Sequence, residues 1–239
     1  MTAHQEQETD TTARNAGVII ALCAIASIAA VALDSSAQGS NPLEILQGLV
    51  RIRASHQLVH IVAMACLGGL MFGYTVLSQR LGLRRAPVLM GLIAYGAGSM
   101  LMFVATIIDG FISTDLAALF ATGSPDAVRA GYWMIQAIAG VALTDIARVA
   151  WVCQSIGAVA WAIALVGQLG ARGFGMVGLV SGALPAIAVV AAGSNMTATV
   201  VAGILLVQAV WNLTAAAYLL RGAMPRLSVP AAYSPGTSP

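Results

Sequence analysis

The chain contains no lysine; all eleven of its positive residues are arginine. That absence removes a retinal or pyridoxal Schiff base, and the phosphate-gripping lysine of a Walker loop, from the chemistry open to it. Charge of either sign is scarce. Only 8% of residues are charged, against roughly a quarter in ordinary soluble domains. The net charge of +2 is small and scattered, and no basic run carries interleaved aromatics, so nucleic acid is excluded as a partner. Cysteine is limited to Cys23, Cys66 and Cys153, without CxxC spacing; these read as small apolar residues, not as disulfides or ligands. No serine-nucleophile motif, phosphate loop, HExxH or paired catalytic carboxylate occurs, so nothing marks the chain as an enzyme on its own.

Apolar sequence is what the chain has in quantity. With 59% hydrophobic residues and a mean hydropathy of +0.88, it reads as an all-α integral membrane protein. The expected fold is a six-transmembrane-helix bundle with short amphipathic outer helices. Its spans fall at about 16–34, 56–78, 87–109, 146–169, 174–192 and 197–220. One membrane domain, 16–221, would then lie between disordered cytoplasmic tails at 1–15 and 222–239.

The leader MTAHQEQETDTTARN is polar and aperiodic. Ser35-Ser36-Ala37 resembles a cleavage site, but the acidic leader and the long apolar run favour a retained first helix. Asn41-Pro42-Leu43-Glu44 has the composition of a helix start, with an N-cap residue, proline at the first helical position and an acid behind it. It should open a short interfacial helix leading into the second span. Residues 126–145 should form an amphipathic helix at the surface, joined to the fourth span either continuously or through a break near Gly140. Gly68, Gly69 and Gly73, with Gly91, Gly96 and Gly98, are spaced for close packing of spans two and three as a hairpin.

The arginines set the expected topology. With the N-terminus inside, Arg14, Arg80, Arg84, Arg85, Arg172, Arg221 and Arg226 fall on the inner side, against Arg51, Arg53 and Arg129 outside. The positive-inside rule therefore favours N-in/C-in in a cell membrane such as a bacterial inner membrane. Asp34, Glu44, Asp109, Asp115, Asp126 and Asp145 then lie at the outer side.

The most chemically pointed stretch is SHQLVHIVAMACLGGLMFGYTVLS, residues 55–78. His56 and His60 lie one turn apart and project from one helix face. A second span descending from His56 and a third returning to Asp109 bring two imidazoles and a carboxylate to similar depth. That set suits copper or zinc, and Met64 and Met102 would add soft ligands for Cu(I). Haem is disfavoured, because two histidines on one face cannot clamp an iron from opposite sides. Structural contacts are the alternative use: histidines at the mouth of a span bond neighbouring helices or headgroups, and Asp109 before Gly110 can cap a turn.

Other polar residues form two smaller groups. Asp145 and Arg148 are three residues apart, as a helical ion pair or as a vestibule pair open to an anionic group. Gln154, Ser181, Gln208 and Asn212 lie deeper, as interhelical hydrogen bonds or as the lining of a cavity. Tyr74, Tyr132, Trp133 and Tyr218 are placed at interfaces, where amphipathic rings gather. Three functions fit: binding of a metal ion or small ligand at the outward face through His56, His60 and Asp109; a small-solute or proton-coupled carrier; and an accessory subunit, or homo-oligomer, packing glycine-rich faces in the bilayer.

Overall fold

The computed structural model describes residues 3–34, 37–193 and 195–222, with side chains from residue 11 onward. Ser35 and Ser36 of the cleavage-like sequence, and the tail beyond residue 222, lie outside the described residues. Eight α-helices follow in order: α1 (Ala3–Leu33), α2 (Pro42–Leu81), α3 (Ala86–Ile107), α4 (Thr114–Phe120), α5 (Pro125–Ile135), α6 (Leu143–Val166), α7 (Arg172–Ala192) and α8 (Ala198–Leu220). No strand occurs among the described residues.

A π-helical turn at Ile108–Ser113 carries α3 into α4, and another at Gln136–Ala142 carries α5 into α6. With those joins, six helical rods are long and apolar enough to cross a membrane: residues 11–33, 42–81, 86–120, 125–166, 172–192 and 198–220. The expectation of six membrane-spanning helices is met in this sense of length and composition.

Helix starts follow the capping residues. Asn41 accepts from the Glu44 N–H at 3.0 Å, while Glu44 accepts from the Ser40 N–H at 2.8 Å, and Pro42 opens the first turn. Ser124 and Thr197 cap α5 and α8 through their hydroxyls.

Three expectations about the helices are corrected. The polar leader is helical from Ala3, because Gln and Glu are good helix formers and adding them to an existing apolar helix carries no new nucleation cost. The interfacial helix after Asn41 is continuous with the histidine helix as α2, since only Gly48 interrupts the run. Residues 125–166 form one rod, and its irregularity is a widened turn around Gly140, not a break. The 40 residues of α2 therefore reach beyond the roughly 30 Å of hydrocarbon. Together with α4 and α5 they make a small helical headpiece, cored by Leu46, Ala117, Val128 and Ile135.

The six rods form a ring. α1 packs on α2 and α8, α8 on α7, α7 on α6, α6 on α3, and α3 closes on α2. The glycine hairpin is corrected here too. A Cβ on Gly73 would collide with Ile20 of α1, and one on Gly69 with Cys23 of α1. A Cβ on Gly91 would meet the Trp161 ring of α6 at 2.9 Å, and one on Gly98 the Ala150 carbonyl of α6 at 2.6 Å. Only Gly96 looks toward its hairpin partner, at 3.5 Å from Met71. Sequence neighbours touch, but the glycines serve the α1–α2 and α3–α6 seams.

The two ends of the ring differ. Arg80, Arg84, Arg85, Arg172 and Arg221 lie at the end where α2, α6 and α8 finish. Just inside it, Tyr74, Tyr95, Trp161 and Trp211 fill the middle. The Tyr74 and Trp161 rings stack 4.6 Å apart, and Tyr74 lies 4.5 Å from Tyr95. Tyr74 is fully buried, which corrects its placement at an interface. Tyr218 is also buried, and its hydroxyl donates to Gln168 at 3.2 Å.

Candidate metal centre and the cavity beneath it

At the opposite end, three helical segments bring four ionisable side chains together. Asp34 ends the turn after α1, His56 and His60 stand on α2, and Asp109 lies in the π turn after α3. His56 and His60 are each 8% exposed, with ring centroids 4.3 Å apart. The i, i+4 spacing puts both on one face, as the sequence required.

Gly110 allows the close approach of α3. A Cβ there would meet His60 Cβ and Cγ at 2.6 Å, so any larger residue would push the imidazole away from Asp109. The π turn matters as well, because one extra residue per turn rotates Asp109 relative to the rest of α3. Such turns are frequent at functional sites.

Hydrogen bonds pin one nitrogen of each ring. His60 Nδ1 lies 2.8 Å from the His56 carbonyl, and a carbonyl only accepts, so Nδ1 carries a proton. His56 Nδ1 donates in the same way to Asp34 Oδ1 at 2.7 Å. The remaining nitrogens face one acid: His60 Nε2 is 3.2 Å from Asp109 Oδ2, and His56 Nε2 is 3.8 Å from Asp109 Oδ1. A neutral imidazole presents a lone pair at Nε2, and a carboxylate presents lone pairs too. Two acceptors at 3.2 Å attract only if a proton or a cation lies between them. Imidazoles pinned through Nδ1 by a carboxylate or carbonyl, with Nε2 free, are the usual arrangement around protein-bound metals.

Asp34, His56 and His60 each offer a ligand atom, all within 4.8 Å of one another. The set read from sequence, His56, His60 and Asp109, is therefore brought together, and Asp34 joins it. Asp34 was visible only as one of six acids at that side. Its pairing with His56 depends on the rotation of α1, which no spacing in the sequence encodes. Met102 lines the space next to the cluster, whereas Met64 is half-buried and does not line it. Arg148 donates to Asp145 at 3.1 Å as a surface ion pair, and neither residue lines that space.

Below the cluster the ring encloses a cavity of about 450 Å³, walled by α1, α2, α3, α6 and α8. Asp34, His60 and Asp109 stand at one end of it, and Tyr95, Gln154, Gln208 and Asn212 at the other. The deep polar residues both bond across helices and line this space. Gln208 Nε2 donates to Gln154 Oε1 at 2.9 Å, and the Tyr74 hydroxyl donates to Asn212 Oδ1. Ser181 turns its hydroxyl to the Val177 carbonyl of its own helix and does not line this cavity. The cysteines are free thiols, with Cys66 buried. No protein-family model matches this chain, and no curated protein or solved structure matches it either.

Proposed function

We propose that the chain is a multi-pass protein of the cell membrane that binds one divalent transition-metal ion, zinc or copper(II), at its outward-facing end. His56, His60, Asp34 and Asp109 form the donor set. The observation that carries this reading is the pair of pinned imidazoles whose Nε2 atoms both face Asp109. Charge favours the same reading: two carboxylates and two neutral imidazoles around a divalent cation sum to zero, the cheapest charge state to hold beside an apolar cavity. Imidazole with carboxylate suits zinc and copper(II) better than a soft Cu(I) site, which would call on Met102. Metal–ligand bonds of about 2.0–2.2 Å require the four groups to close by on the order of 1 Å. The arginine asymmetry places this end outside and both termini inside.

Metal analysis of the purified protein tests the reading. After loading and desalting, zinc or copper should approach one ion per chain in wild type and fall to background in the His56→Ala/His60→Ala double variant. Equal metal content in the two proteins would refute it, leaving the contacts as proton-bridged His–Asp pairs.

A further inference from the structure

The far end of the cavity holds a second recognition problem, chemically separate from the metal cluster. Trp151 lines the cavity and is 7% exposed, yet its indole N–H is fully buried and has no acceptor among the described residues. Burying such a donor unpaired is costly, and native structures rarely do it. The amide pairs add to the imbalance. Gln154 and Asn212 use their side-chain oxygens as acceptors for Gln208 and Tyr74, and no hydrogen bond in the structure takes their amino groups. The inner end therefore has donors in excess.

The rest of the wall narrows the class of ligand. Ile28, Val59, Leu67, Leu70 and Leu205 make its sides apolar, and no arginine lines it. The only formal charges on the wall are the acids Asp34 and Asp109 at the mouth, so an anion such as a fatty-acid carboxylate would meet repulsion and no counter-charge. A ligand that satisfies the donors must be uncharged, largely apolar and an acceptor. Tyr95 and Trp151 offer faces against which a planar ring can stack. Along α3, Tyr95 and Asp109 are fourteen residues apart, about 21 Å of helix, so the space suits a ring with an attached chain. A volume of about 450 Å³ lies within the range of small-molecule sites.

We infer that the cavity binds a neutral lipophilic carbonyl compound of the quinone class, with a ring carbonyl accepting from the Trp151 indole N–H and the Gln154 and Asn212 amino groups nearby. Binding alone is assigned, without electron transfer. The inference does not rest on the metal reading.

Calorimetric titration of the protein in lipid nanodiscs, with a chelator present, tests it using two probes: a decyl-substituted benzoquinone and decylbenzene, which has the tail without the carbonyls. The quinone should bind saturably, and at least about tenfold more tightly than decylbenzene, the worth of one or two buried hydrogen bonds. Trp151→Phe keeps an aromatic ring and removes only the donor edge. It should weaken the quinone by about fivefold to tenfold and leave decylbenzene unchanged. The His56→Ala/His60→Ala variant should keep quinone binding, so the two readings fail separately. Equal affinity for both probes would reduce the cavity to an apolar hole, and an unaltered quinone affinity in Trp151→Phe would overturn the assigned contact. Absence of saturable quinone binding would mean that water alone satisfies the donors.

Discussion

At the arginine-rich end of the ring, Tyr74, Tyr95, Trp161 and Trp211 stack until the middle is full; at the cluster end the same helices stand apart around a cavity rimmed by histidine and aspartate. The first end places its polar atoms where a protein partner is waiting. Trp161 Nε1 donates to Ser78 at 2.9 Å, and Arg85 reaches the Leu81 and Ala164 carbonyls, each at 3.4 Å. The second end leaves the Trp151 N–H unpaired and sets lone pairs of His60 and Asp109 against each other. One end is arranged for stability and the other for something that must still arrive. Substitutions at the filled end should therefore move the melting temperature, and those at the open end should move ligand affinity.

The largest effect belongs to Trp161→Ala. The ring is fully buried, in contact with Tyr74 and Tyr95 and over Gly91. Removing it should cost about 3–5 kcal/mol of stability, read as a large drop in the midpoint of unfolding in mixed detergent. A shift no larger than that of a surface variant would mean the aromatic stack is not what holds the ring.

Next comes the α3–α6 seam. A Cβ on Gly98 would lie 2.6 Å from the Ala150 carbonyl and 2.9 Å from the Gln154 backbone nitrogen, and backbone cannot step aside as a side chain can. Gly98→Ala should destabilise by about 1–3 kcal/mol as the helices are forced apart. Gly68 has nothing within 4 Å, so Gly68→Ala should be neutral or stabilising by up to about 1 kcal/mol through helix propensity. Equivalent melts for the two variants would contradict the assignment of close packing to α3 and α6.

At the open end, Gly110→Ala should do the reverse. The added methyl displaces His60 rather than backbone, so metal affinity should fall by about 10–100-fold, as when the support of a ligand is disturbed. The melting midpoint of the metal-free protein should move far less than in Gly98→Ala. A competition titration against a chromogenic chelator reads the affinity. A variant that binds metal like wild type would show that Asp109 and His60 need not be held this close.

How much of this was legible beforehand follows the same division. Pairs within one helix could be read from spacing: His56 with His60, Asp145 with Arg148, and Asn41 with Glu44 all behave as their intervals require. Asp109 was within reach because consecutive antiparallel helices return to the same level. What could not be read was rotation and ring order. Asp34 meets His56 only because α1 turns that way, and the glycines of spans two and three serve different neighbours because α3 lies against α6. Tyr74 has the composition of an interface residue, and only the ring places it at the centre. The π turns at 108–113 and 136–142 have no sequence signal comparable to proline, yet the first of them aims Asp109.

The smallest expected effect sharpens the contrast from outside it. Arg148 and Asp145 pair at 3.1 Å, and Arg53 and Asp115 at 2.6 Å, with side chains 30–65% exposed. Exposed pairs of this kind are worth about 0–1 kcal/mol and are screened by salt. Arg148→Ala should leave the melting midpoint nearly unchanged, and the small difference should vanish in high salt. Because Arg148 lies off the cavity wall, metal content and quinone affinity should match wild type. A marked loss of either would move Arg148 from surface partner of Asp145 to the approach of the cluster, and the open end would then extend onto the face of α6.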